Sequence, residues 1–476
     1  FDPENNPRPM CSTSPTEQSR DQPPVYERDG LKSMYRGADV PLYPIINMWP
    51  LLAADMAFRD YIGSAELFDD SVSCINELFK LSNSLNHDAI VASNINEAPG
   101  HRVAMNILSR ENLCHHLNEN PGELIDILDW AMTNRSEPNI ISDGPVLDVK
   151  QNPTELTRLP IPWHYPEDRG RYMSASIVIA EYNGQRNVSF HRQFLRDDSH
   201  VVARLVPRHL RTMVDEAQIA GDEIPIAIVN GADPLVLLSA AMSFNEPIDE
   251  LTVASALYER FYSKPLELVS LPNGISVPAD SEYAMSAFIT LENDSEGPYV
   301  DITGTVDDVR MEPVFRIEEI YHRKNPIFHA LIPAHDEHTT LMGLPRAPTI
   351  KSAVSSVTNC HDVHMTTGGC GWLSAVVSIT PESPDDSINA IHAAFNGHPS
   401  MKMVTVVNQD IDVTNPARVE WAMMTRWQPD QDTIILSNQR GSSLDPSRGD
   451  DGLTSKIGID ATITFGHDSA PYSTVL

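Results

Sequence analysis

The sequence predicts a mixed α/β protein of several domains, in which a β-rich barrel lies between two other regions. Helical periodicity dominates from about residue 40 to 135, period-two strands fill 150–330, and strands alternate with helices after about 350. We expect four segments in order: a flexible arm over 1–40, an N-terminal helical or α/β domain over 41–150, a β-barrel domain over 151–330 and a C-terminal α/β domain over 331–476.

Composition narrows the classes of partner. The 476 residues include 34 basic and 66 acidic side chains, which gives a net charge of −32. So acidic a surface repels phosphate backbones, and a nucleic-acid partner is disfavoured. The hydrophobic fraction of 41% and the charged fraction of 21% are those of an ordinary globular protein.

The cysteines and the apolar runs indicate the compartment. Five cysteines are scattered along the chain without a CxxC pair, which favours a reducing environment over a disulfide framework or a zinc ribbon. No apolar run approaches the ~20 residues that a membrane helix needs. We therefore expect a soluble, cytoplasmic protein.

Local patterns define the first elements. In "NPGELIDILDWAM", Asn120 caps a helix, Pro121 occupies its first turn, and apolar residues recur at helical spacing. "MSASIVIAEYNGQRNVSFHRQFL" consists of two strand-like runs around Asn183-Gly184, a strong hairpin pattern. "ADPLVLLSAAM" predicts a buried helix that is capped by Asp233.

The last third of the chain alternates between strands and helices. The runs, in order, are "LSAVVSI", "DSINAIHAAF", "KMVTVV", "NPARVEWAMMTR" and "TIILS". This is a βαβαβ pattern, for which a parallel sheet is the simplest arrangement.

Several polar residues are candidates for chemistry. Arg192, at the end of "NVSFHR", would be costly to bury without a carboxylate. Asn187, His209 and Glu282 together offer amide, imidazole and carboxylate ligands, a set that suits Mn²⁺ or Mg²⁺. Lys456, in "GLTSKIGIDAT", could hold a phosphate, and the alternative is an exposed loop lysine.

"SEGPYVDITG" places Glu296 and Asp301 five residues apart around Gly297-Pro298. In a strand such positions point to opposite faces, and in a helix they are more than a turn apart. Only a local bend would bring both acids into one pocket. The alternative is two solvated loop carboxylates.

Seven motifs carry a resemblance to a known family. "NVSFHR", "RH", "PADSE", "EGPYVD", "GGCGW", "DID" before "VEWAMMTR", and "SKIGIDAT" occur in the order and spacing of the UbiD-type decarboxylases. The resemblance runs from about residue 90 to 465 and is weak before residue 75. It implies a split β-barrel in the middle of the chain, flanked by α/β domains, and a decarboxylase that uses prenylated FMN.

The resemblance also implies the roles of individual residues. Arg192, Glu296 and Asp301 match the family's arginine–acid network, and Arg192 also belongs to the implied cofactor site. Asn187, His209 and Glu282 match the ligands of the divalent ion at the cofactor phosphate, and Lys456 matches a lysine at that phosphate; these are the implied cofactor ligands. A nearby K⁺, a flavin prenyltransferase that supplies the cofactor, and a homodimer or homohexamer are implied as well.

Chemistry explains the paired acids. Loss of CO₂ leaves electron density on carbon that a proton must quench, so the protein needs an acid beside the cofactor. Arg192 could orient the substrate carboxylate and pair with Glu296, which leaves Asp301 as the proton donor. Two nearby carboxylates do not easily both ionise, so a proton is available near neutral pH.

The substrate is read from "EHTTLMGLPR", where His338 and Arg346 form an expected cationic pair in a loop. Furan-dicarboxylate decarboxylases have a similar spacing, but Trp372 stands where a further Arg is expected. "MGLPR", "TTGGCGW" and "GHPSMK" resemble the archaeal branch that decarboxylates trans-anhydromevalonate 5-phosphate to isopentenyl phosphate. The alternatives are a pyrrole- or furan-carboxylate decarboxylase and, in another class, an inactive flavin-binding paralogue or assembly partner.

Overall fold

The computed structural model describes residues 58–63, 65–85, 88–244 and 246–472. These residues belong to one compact unit. The flexible arm predicted over 1–40 lies outside the described residues, and the predicted domain boundaries stay predictions. Several sheets and many helices confirm the mixed α/β class.

The N-terminal part holds strands as well as helices. Its elements are α1 (Phe58–Tyr61), β1 (Glu66–Val72), α2 (Leu78–Ser84), β2 (Ile90–Ile95), β3 (Arg102–Met105), α3 (Arg110–Leu117) and α4 (Pro121–Thr133). α4 forms where the sequence predicts it, because Asn120 and Glu123 make a reciprocal capping box.

The middle part is rich in strands. Its elements are β4 (Asn139–Ile140), β5 (Val149–Lys150), β6 (Tyr172–Met173), β7 (Ile177–Tyr182), β8 (Gln185–Phe190), β9 (Gln193–Leu195), β10 (His200–Ala203), α5 (His209–Ala220), β11 (Ile224–Asn230), α6 (Pro234–Ala241), α7 (Glu250–Tyr262), β12 (Glu267–Ser270), β13 (Ser276–Pro278), β14 (Tyr283–Glu296), β15 (Tyr299–Val300), β16 (Val306–Asp307), β17 (Arg310–His322) and β18 (Ile327–His329). The first sheet has the order β1-β2-β3-β18.

A nine-stranded sheet dominates this middle part. Its order is β6-β9-β10-β17-β14-β11-β7-β8, with β5 beside β17. The predicted hairpin is confirmed, since β7 and β8 pair across Asn183 and Gly184, both with positive φ. Within the described residues no pairing closes this sheet into a barrel, so the split barrel stays a prediction.

The C-terminal part contains α8 (Asp336–Gly343), α9 (Ala347–Ser355), β19 (Asn359–Met365), β20 (Ser374–Thr380), α10 (Asp386–Gly397), β21 (Met403–Asn408), α11 (Pro416–Arg426), β22 (Thr433–Arg440) and β23 (Leu453–Ala461). Its sheet has the order β19-β20-β21-β23-β22. β20 and β21 are parallel, as predicted. The prediction that "TIILS" forms the next parallel strand was wrong. β23 lies next to β21, and β22, which contains "TIILS", pairs antiparallel with β23 at the sheet edge.

A buried helix supports the elements that carry the site. α6 begins at Pro234 after Asp233, whose carboxylate accepts the Leu235 N–H at 2.8 Å, and this confirms the predicted cap. Its residues Leu235–Leu238 are fully buried. Burying one such side chain stabilises a fold by about 1.5–3 kcal/mol. α6 packs against both β8 and α8, and it therefore fixes them relative to one another.

The described residues include no helix that is long and apolar enough to cross a membrane.

Candidate active site

Arg192 lies at the centre of a cluster of three carboxylates. Its Nε and Nη2 donate to the two oxygens of Glu296, each at 2.9 Å. Nη1 donates to Asp301 at 2.5 Å, and Nη2 also donates to Asp307 at 2.8 Å. The structure thus brings Arg192, Glu296 and Asp301 together, and it adds Asp307, which sequence reasoning missed.

Local backbone geometry explains how the two acids converge. Glu296 ends β14, and Gly297 then adopts φ +88°. A Cβ on Gly297 would lie 2.8 Å from the carbonyl oxygen of Asp308, so only glycine allows this close approach. The bend therefore places Glu296 beside the hairpin that carries Asp307.

Burial and charge make this cluster unusual. Glu296 is fully buried, and the Arg192 side chain is 8% exposed. Burial alone would lower the pKa of Arg192, but its bonds to Glu296 and the charges of the three acids raise it well above the usual value. The guanidinium is thus a permanent cation that is fully paired.

His338 interacts electrostatically with Asp301 and Arg192. The expected loop is instead α8, followed by a 3₁₀ turn over Leu344–Arg346. Burial lowers the pKa of His338, although Asp301 and Glu337 act against that effect. Its Nδ1 accepts the Ala334 N–H at 3.2 Å, so the neutral imidazole carries its proton on Nε2. His338 is therefore a neutral donor rather than half of a cationic pair.

Glu337 anchors α8 to the N-terminal sheet. Its carboxylate accepts the N–H groups of Asn106 at 3.0 Å and Leu108 at 3.2 Å. The same buried carboxylate contacts Nε2 of His329 at 2.8 Å. These bonds fix the start of α8, and so they fix the position of His338.

A row of polar side chains runs along one face of β8. Ser189 Oγ donates to the amide oxygen of Asn187 at 2.9 Å and lies 2.9 Å from Nε2 of His191. The Asn187 amide nitrogen donates to Glu250 at 3.0 Å, and the Val188 N–H donates to the same carboxylate at 2.7 Å. Glu250 is 4% exposed, and burial raises its pKa to about 8.

Glu282 does not join this row. Its fully buried carboxylate is held by Arg59 through two hydrogen bonds of 2.6 and 2.9 Å, and it also accepts the Ile327 N–H at 3.0 Å. Glu282 directly precedes β14, which is separated from β8 by β11 and β7. Three strand spacings amount to about 14 Å. Glu282 is therefore too far from Asn187 to share a metal ion with it.

Glu250 is the carboxylate that the structure places beside Asn187. α7, which starts with Glu250, and α5, which starts with His209, both pack against β8. Among the described residues no group of three or more His, Cys, Asp and Glu side chains could hold a metal. An ion here would therefore depend on the Asn187 oxygen together with His209 and Glu250. Oxygen and imidazole donors beside a buried carboxylate fit Mn²⁺ or Mg²⁺.

A second charged region surrounds Arg346. This side chain is 6% exposed, and its Nε has no hydrogen-bond partner among the described residues. Its guanidinium lies 5.3 Å from the ring centroid of Trp372. Burial lowers the pKa of Arg346 well below its usual value, and the charge of Arg208 adds to the effect.

Two further basic groups extend the region around Arg346. The rings of His398 and Trp372 lie 4.4 Å apart, and burial together with the charges of Arg346, Arg208 and Lys456 lowers the pKa of His398 to about 3. Lys456 lies in β23, not in a loop, and donates to the Pro399 carbonyl oxygen. Burial lowers its pKa as well. We call Arg208, Arg346, His398 and Lys456 the basic cluster.

Arg208 links the basic cluster to the polar row on β8. It precedes His209, and its charge contributes to the lowered pKa of His191, after burial. The sequence analysis considered the "RH" motif only for His209 and "GHPSMK" only for a resemblance, so Arg208 and His398 were missed. Arg208 therefore acts electrostatically on both the basic cluster and His191, next to the polar row on β8.

Two family models identify the class of enzyme to which this fold and these charged regions belong. The 3-octaprenyl-4-hydroxybenzoate carboxy-lyase Rift-related domain (UbiD) matches residues 139–336, and the C-terminal domain of those carboxy-lyases matches 339–461. The chain belongs to the UbiD family of carboxy-lyases.

Individual relatives cover most of the chain. An anhydromevalonate phosphate decarboxylase from Methanosarcina mazei is 40% identical over 417 residues, which are 86% of this chain and 96% of the relative. The UbiD-class enzyme HmfF from Pelotomaculum thermopropionicum, solved in complex with FMN, has a TM-score of 0.83 and 30% identity, covering 88% of this chain and 97% of HmfF. An evolved dimeric form of HmfF in complex with prFMN gives a TM-score of 0.79 and 28% identity, over 87% and 96% of the two chains.

Proposed function

We propose that this protein decarboxylates trans-anhydromevalonate 5-phosphate to isopentenyl phosphate and CO₂ with prenylated FMN as cofactor. The observation that carries the proposal is the buried guanidinium of Arg346, which has no carboxylate partner among the described residues. A buried cation of this kind requires an anion. The relative from Methanosarcina mazei that bears this name supports the choice of a phosphate.

The two anionic ends of the substrate fit the two charged regions. His338 and Arg346 are eight residues apart on α8 and the turn that follows it, which is about 12 Å of helix. We place the reacting carboxylate at Arg192 and the Nε2–H of His338, and the phosphate at Arg346. The neutral His338 adds a hydrogen bond without a further charge, which avoids repulsion with Arg192.

The reaction needs one bond to break and one proton to be transferred. The bond between C2 and the carboxyl carbon breaks, CO₂ leaves, and the electron pair stays at C2. Prenylated FMN, when bound, supplies the electron sink for that pair. Asp301 then gives its proton to C2 and is reprotonated from water, while Glu296 keeps Arg192 in place.

The same proposal assigns residues to the cofactor. Lys456 would hold its phosphate, and Arg192 would face its reactive ring system. Asn187, His209 and Glu250 would hold Mn²⁺ or Mg²⁺ at that phosphate, with Glu250 replacing the predicted Glu282. The chemistry fits, because Glu250 is a buried carboxylate that lacks a cationic partner among the described residues.

Further parts of the proposal concern the surroundings of the enzyme. We also propose that the middle of the chain is a split β-barrel and that a K⁺ ion binds near the cofactor phosphate. A flavin prenyltransferase would supply the cofactor, and the enzyme would be a cytoplasmic homodimer or homohexamer. The structures of HmfF with FMN and with prFMN support the cofactor part of this proposal.

The test compares four acids with holoenzyme produced beside a flavin prenyltransferase, in Mn²⁺ and K⁺. The acids are trans-anhydromevalonate 5-phosphate, the same acid without its phosphate, pyrrole-2-carboxylate and furan-2,5-dicarboxylate. Release of CO₂ and isopentenyl phosphate is measured. We expect turnover of the phosphorylated acid at the highest kcat/KM. Efficient turnover of a ring acid instead would move the protein to another substrate class, and no turnover by protein with bound cofactor would contradict the decarboxylase function.

A paired variant tests the phosphate site. Arg346→Met should raise KM for the phosphorylated acid about 10- to 100-fold, because it removes hydrogen bonds to a charged group. KM for the unphosphorylated acid should stay the same. Arg418→Met is the matched control, since Arg418 lies 4.8 Å from the ring centroid of Trp421, as Arg346 lies over Trp372. Equal effects on both acids would contradict the assignment of Arg346.

A further inference from the structure

Asp307, next to the turn between β16 and β17, forms a bridge between two arginines. Asp307, at the end of β16, accepts from Nη2 of Arg192 at 2.8 Å. Its two oxygens also accept from Nη1 and Nη2 of Arg310 at 2.7 and 2.8 Å. Asp307 is therefore tied to the catalytic guanidinium on one side and to a charge-balancing guanidinium on the other.

The hydrogen bonds of Arg192 explain why this bridge matters. Its guanidinium has five N–H groups, of which Glu296 takes two and Asp301 and Asp307 take one each. Among the described residues, one N–H, on Nη1, is left to bind a carboxylate. Glu296 and Asp307 together take the hydrogens of Nε and Nη2. The remaining N–H is therefore on Nη1, the nitrogen that also donates to Asp301.

Charge balance gives the bridge a second effect. Three carboxylates and two guanidinium groups leave the ionised cluster with one excess negative charge. Burial raises the pKa of Asp307, but its bonds to Arg310 and the charge of Arg192 outweigh burial and keep its pKa below the usual value. Asp307 therefore stays ionised, and it acts on Asp301 as a fixed negative charge.

The other groups near Asp301 belong to different elements. His338 in α8 interacts with it electrostatically, as does the buried Tyr299 in β15. The carboxylate of Asp168 accepts the N–H of Val300, the residue directly before Asp301, at 2.7 Å. Arg192 lies 4.8 Å from the ring centroid of Tyr299, but none of these groups is hydrogen-bonded to Arg192 among the described contacts. Asp307 and Arg310 are therefore the pair that acts through hydrogen bonds of the shared guanidinium.

We propose that Asp307, held by Arg310, is a positioning residue of the decarboxylase: it directs the one remaining N–H of Arg192 to the substrate carboxylate and sets the charge balance under which Asp301 gives up its proton. The inference rests on the proposed function, because it needs Asp301 as the proton donor. It concerns residues outside the arginine–acid set that the sequence indicated.

The test is the pH dependence of kcat of the holoenzyme. Asp301 must be protonated to donate, so kcat falls as pH rises through the apparent pKa of the cluster. Asp307→Asn removes a negative charge from the cluster, so the cluster loses its proton more easily, and the alkaline limb should move downward by about half a pH unit or more. Arg310→Gln removes a positive charge and should move the limb upward by a similar amount.

Control variants separate positioning from folding. Asp308→Asn makes the same charge change at an adjacent exposed side chain that acts on Arg310 but has no hydrogen bond to Arg192 among the described contacts, so it should shift the limb much less. Arg310→Lys keeps the charge and should restore the wild-type limb. If Asp307→Asn does not fold, the direction of the Arg310→Gln shift still decides. Shifts in the same direction, or a lower kcat at every pH without a shift, would overturn the proposal.

A second measurement does not depend on turnover. Unfolding by denaturant is followed for Asp301→Asn, Asp307→Asn and the double variant, without substrate. Because both acids bind one guanidinium, their effects should not be additive, whereas Asp301→Asn and Asp308→Asn should be additive. Additive effects of Asp301 and Asp307 would overturn the positioning role, and absence of turnover in wild-type holoenzyme would count against the proposed function alone.

Discussion

The buried guanidinium groups of Arg192 and Arg346 have surroundings of opposite charge. Arg192 is surrounded by three carboxylates, and its charge is fully paired within the protein. Arg346 lies over Trp372 beside other basic groups, and burial with like charge lowers its pKa. The charge of the first guanidinium is balanced by carboxylates of the protein, whereas the second has no carboxylate partner among the described residues.

This difference suits the region around Arg192 to catalysis and the region around Arg346 to binding. Pairing fixes Arg192 before the substrate arrives, so little reorganisation is needed at the reacting carbon. Unpaired charge at Arg346 costs stability, and binding of an anion recovers that cost as affinity. Four predictions would sharpen or contradict this comparison.

The largest expected effect is that of Asp301→Asn, which removes the proton donor from the paired region. We expect kcat to fall about 10²- to 10⁴-fold, because general acid catalysis contributes that much. The amide keeps its shape and can still accept from Arg192, so the absorbance of the bound cofactor should remain. A variant with wild-type kcat would show that Asp301 is not the donor.

The next effect compares the two arginines directly through stability. Arg192→Met leaves Glu296 buried without a cation and should cost about 3–5 kcal/mol in the free energy of unfolding. Arg346→Met removes an unpaired charge and should leave that free energy unchanged or raise it. Denaturant unfolding of the protein without substrate measures both. If Arg346→Met destabilised the protein as much as Arg192→Met, the contrast between the two regions would be lost.

A smaller effect is expected at the bend that joins the paired acids. Gly297→Ala places a Cβ 2.8 Å from the Asp308 carbonyl oxygen at a residue with φ +88°. The strain should cost about 1–3 kcal/mol. Thermal unfolding should show this loss together with a lower kcat, since the hairpin that carries Asp307 must shift. Gly184→Ala, also at positive φ but with open space around it, is the control for backbone strain alone.

The smallest effect concerns the buried acid next to the paired region. Burial raises the pKa of Asp168 from 3.8 to about 6, although the Val300 N–H opposes this. Its carboxyl therefore stabilises the fold below about pH 4, and the contribution is lost as pH rises through about 6. Asp168→Asn does not titrate, so its stability relative to wild type should rise by on the order of 1 kcal/mol between pH 4 and 7. A flat difference across that range would contradict the raised pKa.

Local chemistry decided which parts of the fold the sequence could predict. α4, the β7–β8 hairpin and α6 each depend on a cap or turn within a few residues, and all three formed as expected. The position of β22 in the sheet depends on residues outside its own run. Its pattern could not reveal that β23, which follows it in the chain, would insert between it and β21.

The site residues divide in the same way. Glu296 and Asp301 lie close together in the sequence, and the glycine between them marks the bend. The sequence suggested Glu282 as a metal ligand because its residue type and motif matched one. Its actual partner, Arg59, is 223 residues away, and sequence spacing carries no information over that separation. Glu250 was missed because an acid at a helix N-terminus normally indicates a capped surface helix, and only the packing of α7 on β8 makes it a ligand candidate.

The anchoring of α8 by Glu337 bears on how the substrate scope of such an enzyme can be altered. Glu337 ties the helix to two backbone N–H groups in the segment that follows β3, whereas its neighbour His338 interacts electrostatically with Asp301 and Arg192. A mutagenesis library that varies His338 and Arg346 while keeping Glu337 would change the pocket without moving its wall. Varying Glu337 as well would confound every selected clone with a displaced helix.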